Sequence, residues 1–521
     1  MGRKIAVVGG GAAGMMAAIQ AAYAGACVTL YERNDRVGKK ILSTGNGKCN
    51  FSNEVMEAGC YYGGGAACVA EIYERFGVTE TKDFFRKLGM RIKNRNGYLY
   101  PASEQAATVS DVLRYEMESL GIQLFTQCRV TGVRNVADKE GAVRLMVETD
   151  PKTCKEQETD TGQRYDAVIL ACGGRAAPRT GSDGTGFELA GRLGHGIVPT
   201  VPALTALQCE GSFWKQVAGV RCEARLILYI DGTAVSVVDG ELQLTDYGIS
   251  GIPVFQFSRI AAYALLEKKK VTAAIDFMPD TDAAFWEQRW EQQRKQHMEQ
   301  FVTGIVNKKT GLLLLKLAGI REAETVCEIN VSRRKKLESL FHSFQVTVRE
   351  TNSFEQAQVC AGGVDFKEIT DRLQSVKVPG LFFAGEMLDI DGICGGYNLQ
   401  WAWSSGAVAG RAAAGAPEFE INTRTDGTVE VRVTELTDHL DRLHTTELGG
   451  IRIRKNLALD IEDIAAWCRT KIECGQAVIT RQGKNWYVEV DNCVITVNAY
   501  SYTIITAHRK VHNPQKPLQE R

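Results

Sequence analysis

Lys4-Ile5-Ala6-Val7-Val8-Gly9-Gly10-Gly11-Ala12-Ala13-Gly14 is the stretch whose reading decides the fold. An apolar strand runs into Gly9-x-Gly11-x-x-Gly14, and a helix-forming run follows from Met15 to Ala24. A second strand, Cys27-Val28-Thr29-Leu30-Tyr31, ends at Glu32, 18 residues past Gly14. Gly9 suits a tight turn out of the strand. Gly11 lacks a Cβ, so a pyrophosphate can approach the backbone. Gly14 lets the helix pack on the strand. The helix start offers free N–H groups and partial positive charge to phosphates. Glu32 can accept bonds from ribose hydroxyls and would repel a 2′-phosphate, so FAD or NAD is favoured over NADP at this point.

Outward from this motif, the next stretch is a polar, glycine-bearing loop, Gly38 to Asn53, of a composition that suits contact with a ligand. Apolar spacing predicts helices over 71–89 and 105–120, and alternation predicts strands over Ile122–Val136 and Ala142–Thr149. Tyr165 to Gly174 reads as a buried parallel strand meeting glycines, followed by a helix opening near Gly184. From about His195 the character changes. Short strands 226–230, 234–238 and 241–244 are separated by Asp231-Gly232 and Asp239-Gly240, both hairpin signals, and 286–306 is charged and helical. Pro379 to Glu386 then returns to strand, and Asp391 to Gln400 opens a small-residue helix, 401–414. Within 421–521, helices are expected at 438–444 and 461–471 and strands at 477–480, 486–490, 494–497 and 502–506, with a disordered tail from His512.

The chain of 521 residues carries 62 basic and 62 acidic side chains, so no global field favours nucleic acid or an anionic membrane. No apolar run is long enough to span a bilayer, and Ile5–Val8 is too short for a signal peptide, so a cytoplasmic enzyme is expected. The fifteen cysteines show no CxxC spacing and the seven histidines no metal spacing. Structural zinc and a CxxC dithiol are disfavoured, and buried free thiols are expected.

Five stretches together resemble one bacterial family. They are Gly9–Gly14 with Glu32, Thr44–Asn53, Tyr100–Ser103, Ala171–Gly174 and Phe382–Ser405. The family consists of FAD-dependent oxidoreductases often labelled aminoacetone-oxidase-like, and it includes a reductase of dehydro bile acids. The similarity covers about residues 1–415. It implies an α/β fold: a Rossmann-like FAD-binding domain with an inserted β-barrel-like plus helical domain, and a small α+β domain beyond. The boundaries expected are 1–194 and 352–416 for the two parts of the FAD-binding domain, 195–351 for the inserted substrate domain, and 421–510 for the C-terminal domain. The last resembles a small bacterial domain of unknown function, through Leu443–Gly449 and Ala499–His508. With 14 Lys/Arg against 13 Asp/Glu over 421–521 it shows no basic excess.

From motif and resemblance together, the candidate FAD-binding residues are Gly9, Gly11, Ala12, Ala13, Gly14, Glu32, Arg33, Lys40, Gly45, Gly47, Lys48, Cys49, Asn50, Val130, Ala171, Gly173, Gly174, Gly385, Glu386, Asp391, Gly395, Gly396, Tyr397 and Asn398. Lys48 stands where the family usually has Arg, and Asp246 where many members have His, so a bidentate contact or a histidine acid does not carry over. Tyr247, Asp246 and Tyr397 are the candidate proton donors, each weighed against a structural role. Cys49 and Cys394 fit small-residue packing better than nucleophilic chemistry.

The expected function is an FAD-dependent oxidoreductase of a small organic substrate, such as an enone. The electron donor is NAD(P)H or a protein, with only one full dinucleotide fingerprint present. Alternatives are an amine oxidase and a non-catalytic FAD-binding sensor. A nucleic-acid modifier is disfavoured by the neutral charge.

Overall fold

The computed structural model describes residues 2–137, 143–154, 163–417 and, with short gaps, 436–509. The chain divides into two compact units, Met1–Ile421 and Asn422–Arg521.

The first unit is built on a five-stranded parallel sheet in the order Leu381–Phe383, Ala167–Leu170, Lys4–Val8, Cys27–Tyr31, Gln123–Phe125. Its central strands bury consecutive residues, Ile5 to Val8 and Ala167 to Leu170, because helices and loops cover both faces. Helix Ala12–Tyr23 packs against helix Tyr397–Ala413. Their backbones meet at Gly406 and Gly410, where a Cβ would run into the carbonyls of Ala13 and Ala17. The sequence ends of the unit are thereby brought side by side.

Between these halves lies a closed six-stranded antiparallel barrel. Its strands run from Leu207–Cys209 to Phe344–Thr351. Helix Ile252–Leu266 packs on several of its strands. Helices Ala283–Gln292, Met298–Thr303, Lys308–Ala318 and Val331–His342 join the same apolar core, which holds Trp286, Phe301, Leu314 and Phe341. Strand Ile197–Ala203 stays outside the barrel and pairs with Val359–Val364.

Several expectations need correction. Asp239-Gly240 is no turn, since one strand runs unbroken over Thr233–Leu244. Asp239 lies across from Arg225, whose Nε and Nη2 donate to its carboxylate at 2.7 and 2.9 Å, so the acid belongs to a cross-strand pair. The helix expected over 71–89 is two helices, Val69–Arg75 and Val78–Lys87. Gly77 interrupts the run, and its N–H donates to Glu80 of the second helix at 2.8 Å. The charged segment 286–306 breaks likewise between Gln292 and Met298. Cys128 and Cys154 form a disulfide, although free thiols were expected. They lie 26 residues apart, a pairing that only the meeting of their two loops creates.

In the second unit, strands Val478–Gln482, Asn485–Val490, Cys493–Asn498 and Ile504–Arg509 form an antiparallel sheet. Trp486 and Ile495 of the sheet share a core with Ile453 and Cys468 of two helices. One, Ile464–Glu473, was expected. The other, Glu447–Leu457, was not. Gly449 and Gly450 weaken its intrinsic preference, and packing on strand Ile504–Arg509 overrides them. The expected helix 438–444 shows only a short 3₁₀ turn at Leu440–Arg442. The expectations that fall on 155–162, 421–435, 437–439, 483–484, 499–501 and the tail from 510 lie outside the described residues.

Candidate active site

The site begins at the C-terminal ends of the parallel strands, where open α/β sheets hold their ligands. Gly9 leaves its strand at φ +106, and a Cβ there would strike the carbonyl of Ala171. A Cβ on Gly14 would strike the carbonyl of Gly9. A Cβ on Gly11 would meet nothing within 4 Å. Gly11 is also the N-cap of helix Ala12–Tyr23 and offers no side chain, so the helix N-terminus opens onto free space. Glu32 is almost fully buried. It accepts from Gly10 N at 2.7 Å, and from the backbone and side-chain nitrogens of Asn34 at 2.8 Å each. Arg33 pairs with Asp183. Val130 starts the strand beyond Cys128, whose N–H donates to Glu32 O at 2.9 Å.

The loop after the second strand closes the other side. Gly45, Asn46 and Cys49 take left-handed backbone, and Gly47, like Gly11, faces open space. The Asn50 side-chain oxygen is buried without a hydrogen-bond partner among the described residues. It faces Gly396, whose φ of +97 starts helix Tyr397–Ala413. Lys48 is half-exposed and its Nζ lies 3.9 Å from Glu104. Lys93 and Arg95 beside Glu104 hold its carboxyl down to about 2. Glu386, at the end of strand Leu381–Phe383, is held three ways, by Lys40 Nζ at 2.8 Å, Gly174 N at 3.1 Å and Cys360 N at 2.8 Å. Two open glycines, an uncapped helix start and an orphaned amide oxygen are what a bound dinucleotide would complete, so these residues fit FAD.

Past Glu386 the chain crosses to the wall made by the insert. Asp391 is buried and pairs with Tyr62 across a two-residue ladder. Arg259, on helix Ile252–Leu266, donates from Nε to Asp391 Oδ1 at 2.8 Å. Its guanidinium lies 5.1 Å from the ring centre of Tyr62 and 4.8 Å from that of Tyr263. Burial pushes the Asp391 carboxyl up to about 6 despite Arg259. One turn earlier on the same helix, Gln256 Oε1 accepts from Cys394 N at 3.1 Å. Tyr98 and Tyr397 close around Gly395. The Tyr61 hydroxyl donates to Tyr397 O at 2.9 Å, and Tyr73 donates to Tyr61. Asn398 bridges Gly392 through its amide, accepting from the N–H and donating to the carbonyl at 2.8 Å each.

The three proposed proton donors do not share partners. Tyr397 is nearly buried and burial raises its hydroxyl pKa, so it stays protonated. The Tyr247 hydroxyl accepts from Asn352 Nδ2 at 2.9 Å, where the chain leaves the barrel. Asp246 is exposed. Burial pushes the Cys49 and Cys172 thiols up to about 12 and also raises Cys394, which leaves none of them a nucleophile at neutral pH. Sequence reasoning missed Tyr61, Tyr62, Gln256, Arg259 and Tyr263. The one available signal was a pair of polar residues, Gln256 and Arg259, three apart on a helix whose mean composition is apolar. A cavity of about 880 Å³ lined by Lys4, Cys27, Gln123 and Arg164 is at the opposite, N-terminal ends of the strands and is not this site. Among the described residues no cluster of three metal-ligating side chains occurs, and no helix is long and apolar enough to cross a membrane.

The HI0933-like protein Rossmann domain model matches residues 3–412. The chain belongs to the HI0933-like family. It is an FAD-dependent oxidoreductase. Residues 437–508 match a protein of unknown function, DUF3781. The chain is 41% identical over 423 residues to a 3-dehydro-bile acid delta(4,6)-reductase of Clostridium scindens, covering 80% of this chain and 100% of the relative. It is 28% identical over 406 residues to a ribosomal RNA dihydrouridine synthase of Haemophilus influenzae, covering 77% and 95%. Among solved structures it is similar to a 3-ketosteroid-delta4-(5alpha)-dehydrogenase of Rhodococcus jostii, at 17% identity and a TM-score of 0.40 over 79% of this chain and 97% of that one. A likeness that distant carries no argument.

Proposed function

We propose that this enzyme reduces a carbon–carbon double bond conjugated to a carbonyl, in a flat, largely apolar ring system of the steroid kind. The observation that carries the reading is the 41% identity to a bile-acid delta(4,6)-reductase along that relative's whole length. The wall of Tyr62, Tyr98, Tyr263 and Tyr397 supports it, since aromatic rings suit a planar substrate. FAD, once bound, supplies the hydride. Gly9, Gly11, Ala12, Ala13 and Gly14 would hold its pyrophosphate, Glu32, Arg33 and Val130 its adenosine end. The loop 45–50 and the Gly395–Asn398 turn would hold the flavin end. Tyr247 or Tyr397 would hand a proton to the substrate carbon next to the carbonyl. NAD(P)H is the expected electron donor, and the cytoplasm the expected compartment. Residues 195–351 would set the substrate.

A second reading has a specific observation behind it. Dihydrouridine also arises by reducing a double bond conjugated to a carbonyl, in the uracil ring. The hairpin Ile92–Pro101 sets the exposed Tyr98 beside Gly395 and carries Lys93 and Arg95, which pair with Glu104, and basic and aromatic side chains on one hairpin suit RNA. The overall charge balance does not test such a local patch. An aminoacetone-like amine, which would give hydride to the flavin instead of taking it, is a third substrate class to include.

The test is to mix anaerobically reduced enzyme with the steroid and with the RNA, and oxidised enzyme with the amine. Rapid reoxidation by a 3-oxo-Δ4 steroid is expected. Reoxidation only by uridine-containing RNA would replace the first reading with the second. Flavin reduction by an amine, with no reoxidation by either acceptor, would overturn both.

A further inference from the structure

We infer that Arg259 grips the carbonyl oxygen of the substrate, while Asp391 positions it. This deepens the reduction proposed above and rests on it for the identity of the ligand group.

Arg259 has a planar fork of donors. Nε is taken by Asp391 at 2.8 Å. Nη1 and Nη2 make no hydrogen bond to the protein among the described residues. The side chain is only 19% exposed, yet neither Nη is a buried orphan, so both outer nitrogens face solvent, where a ligand oxygen can replace water. Tyr62 and Tyr263 hold the guanidinium as in a slot, and Tyr263 is itself fixed by donating to Pro199 O at 3.1 Å. Asp391 is 3% exposed in its side chain and cannot itself be a broad contact surface. The neighbouring contact of the same helix, Gln256 with Cys394 N, leads along the loop into Gly396 and helix Tyr397–Ala413. Arg259 therefore stands on the loop that leads from Asp391 into the segment that fits the flavin end of FAD. A cation at that place does what a reduction of this kind requires. As a hydride bonds to the β-carbon, the π pair of the double bond shifts and negative charge gathers on the carbonyl oxygen. A proton then bonds to the α-carbon, and the carbonyl re-forms. The two electrons come from reduced FAD. Arg259 would stabilise the oxygen's charge in mid-reaction without gaining or losing a proton.

The experiment uses the full-length, FAD-loaded protein and the variants Arg259→Gln, Arg259→Lys and Asp391→Asn. The first probe is 4-chlorophenol, whose anion mimics the charged oxygen and gives a long-wavelength band when stacked on oxidised flavin. Arg259→Gln should keep its FAD, with a lower melting temperature because buried Asp391 loses its charged partner, and bind the phenolate at least about tenfold more weakly, the loss of one charged hydrogen bond. The second probe is 4-androstene-3,17-dione. Its reoxidation of the reduced Gln variant should slow by about 10²- to 10³-fold, as for loss of one oxyanion donor, while reoxidation by oxygen stays unchanged. Arg259→Lys should fall between, since it restores charge without the fork, and it serves as the readout should the Gln variant fail to fold. Asp391→Asn should weaken phenolate binding less than Arg259→Gln. Phenolate binding equal to wild type in the Gln variant, or no phenolate band in wild type, overturns the assignment. If wild-type reduced enzyme ignores the steroid yet Arg259→Gln still loses the phenolate, the enone reading falls and the oxyanion role of Arg259 stands.

Discussion

Two walls meet at the start of helix Tyr397–Ala413, and they are made from different parts of the amino acid. The nucleotide wall is mostly main chain, with Gly9, Gly11, Gly47 and the bare N-terminus of helix Ala12–Tyr23. The insert wall is side chains, Gln256, Arg259 and Tyr263 reaching down from one helix. A main-chain wall tolerates few substitutions but needs no particular side chain. A side-chain wall can be rewritten without touching the fold. The difference fits the proposed division of labour: FAD would be met by backbone, and the substrate by residues that can change.

The largest effect should come from Gly11→Val. It places a branched side chain in the open space beside the helix N-terminus, and the purified variant should be colourless by visible absorbance while its circular dichroism stays native. Full FAD content would break the contrast at its base.

Next comes Glu386→Ala, a side-chain element within the nucleotide wall. It strands Lys40 Nζ and the N–H groups of Gly174 and Cys360, and should cost about 2–3 kcal/mol in urea denaturation together with loss of FAD affinity. A variant as stable as wild type would show that water replaces the carboxylate there.

Tyr247→Phe is smaller. It removes one bond to Asn352, worth about 1 kcal/mol, and should keep FAD while slowing the half-reaction with substrate. Rapid-reaction traces that match wild type would leave Tyr247 with its structural bond alone.

Asp391 gives a test by pH. Its carboxyl sits at about 6 in the fold, above its unfolded value, so the native state binds the proton more tightly. This group's contribution to stability is fullest below about pH 4. It declines as pH rises through 6 and is flat above that. Asp391→Asn should remove that decline from a plot of melting temperature against pH, and a curve parallel to wild type would mean that the carboxyl titrates alike in the folded and unfolded chain.

The smallest effect is expected from deleting residues 422–521. Both walls lie within Met1–Ile421, so FAD content and the enone half-reaction should not change. Loss of FAD from a folded truncated protein would give the second unit a part in the site.

The cradle was legible because its signals are local. Glycines at fixed offsets from a strand, an acid 18 residues on, and a small-residue helix after Asp391 each impose their geometry within a few bonds. The small residues at Gly406 and Gly410 likewise announce close helix packing, though not the helix they meet. Asp239-Gly240 shows the limit of local signals. In isolation it is a turn dipeptide, and the ladder to the neighbouring strand, with Arg225 paired to Asp239, keeps it extended.

By itself, then, the sequence determined the parallel strands and the glycine turn that joins the first strand to its helix, because those follow from periodicity and from what glycine alone permits. The tertiary structure decided that Arg259 and Tyr62 face Asp391, that Cys128 finds Cys154, and that Tyr247 binds Asn352. Arg259 and Asp391 are 132 residues apart. Nothing local joins them. They meet because the inserted helix packs back over the loop that precedes Tyr397, and that packing is a property of the folded barrel and not of either segment.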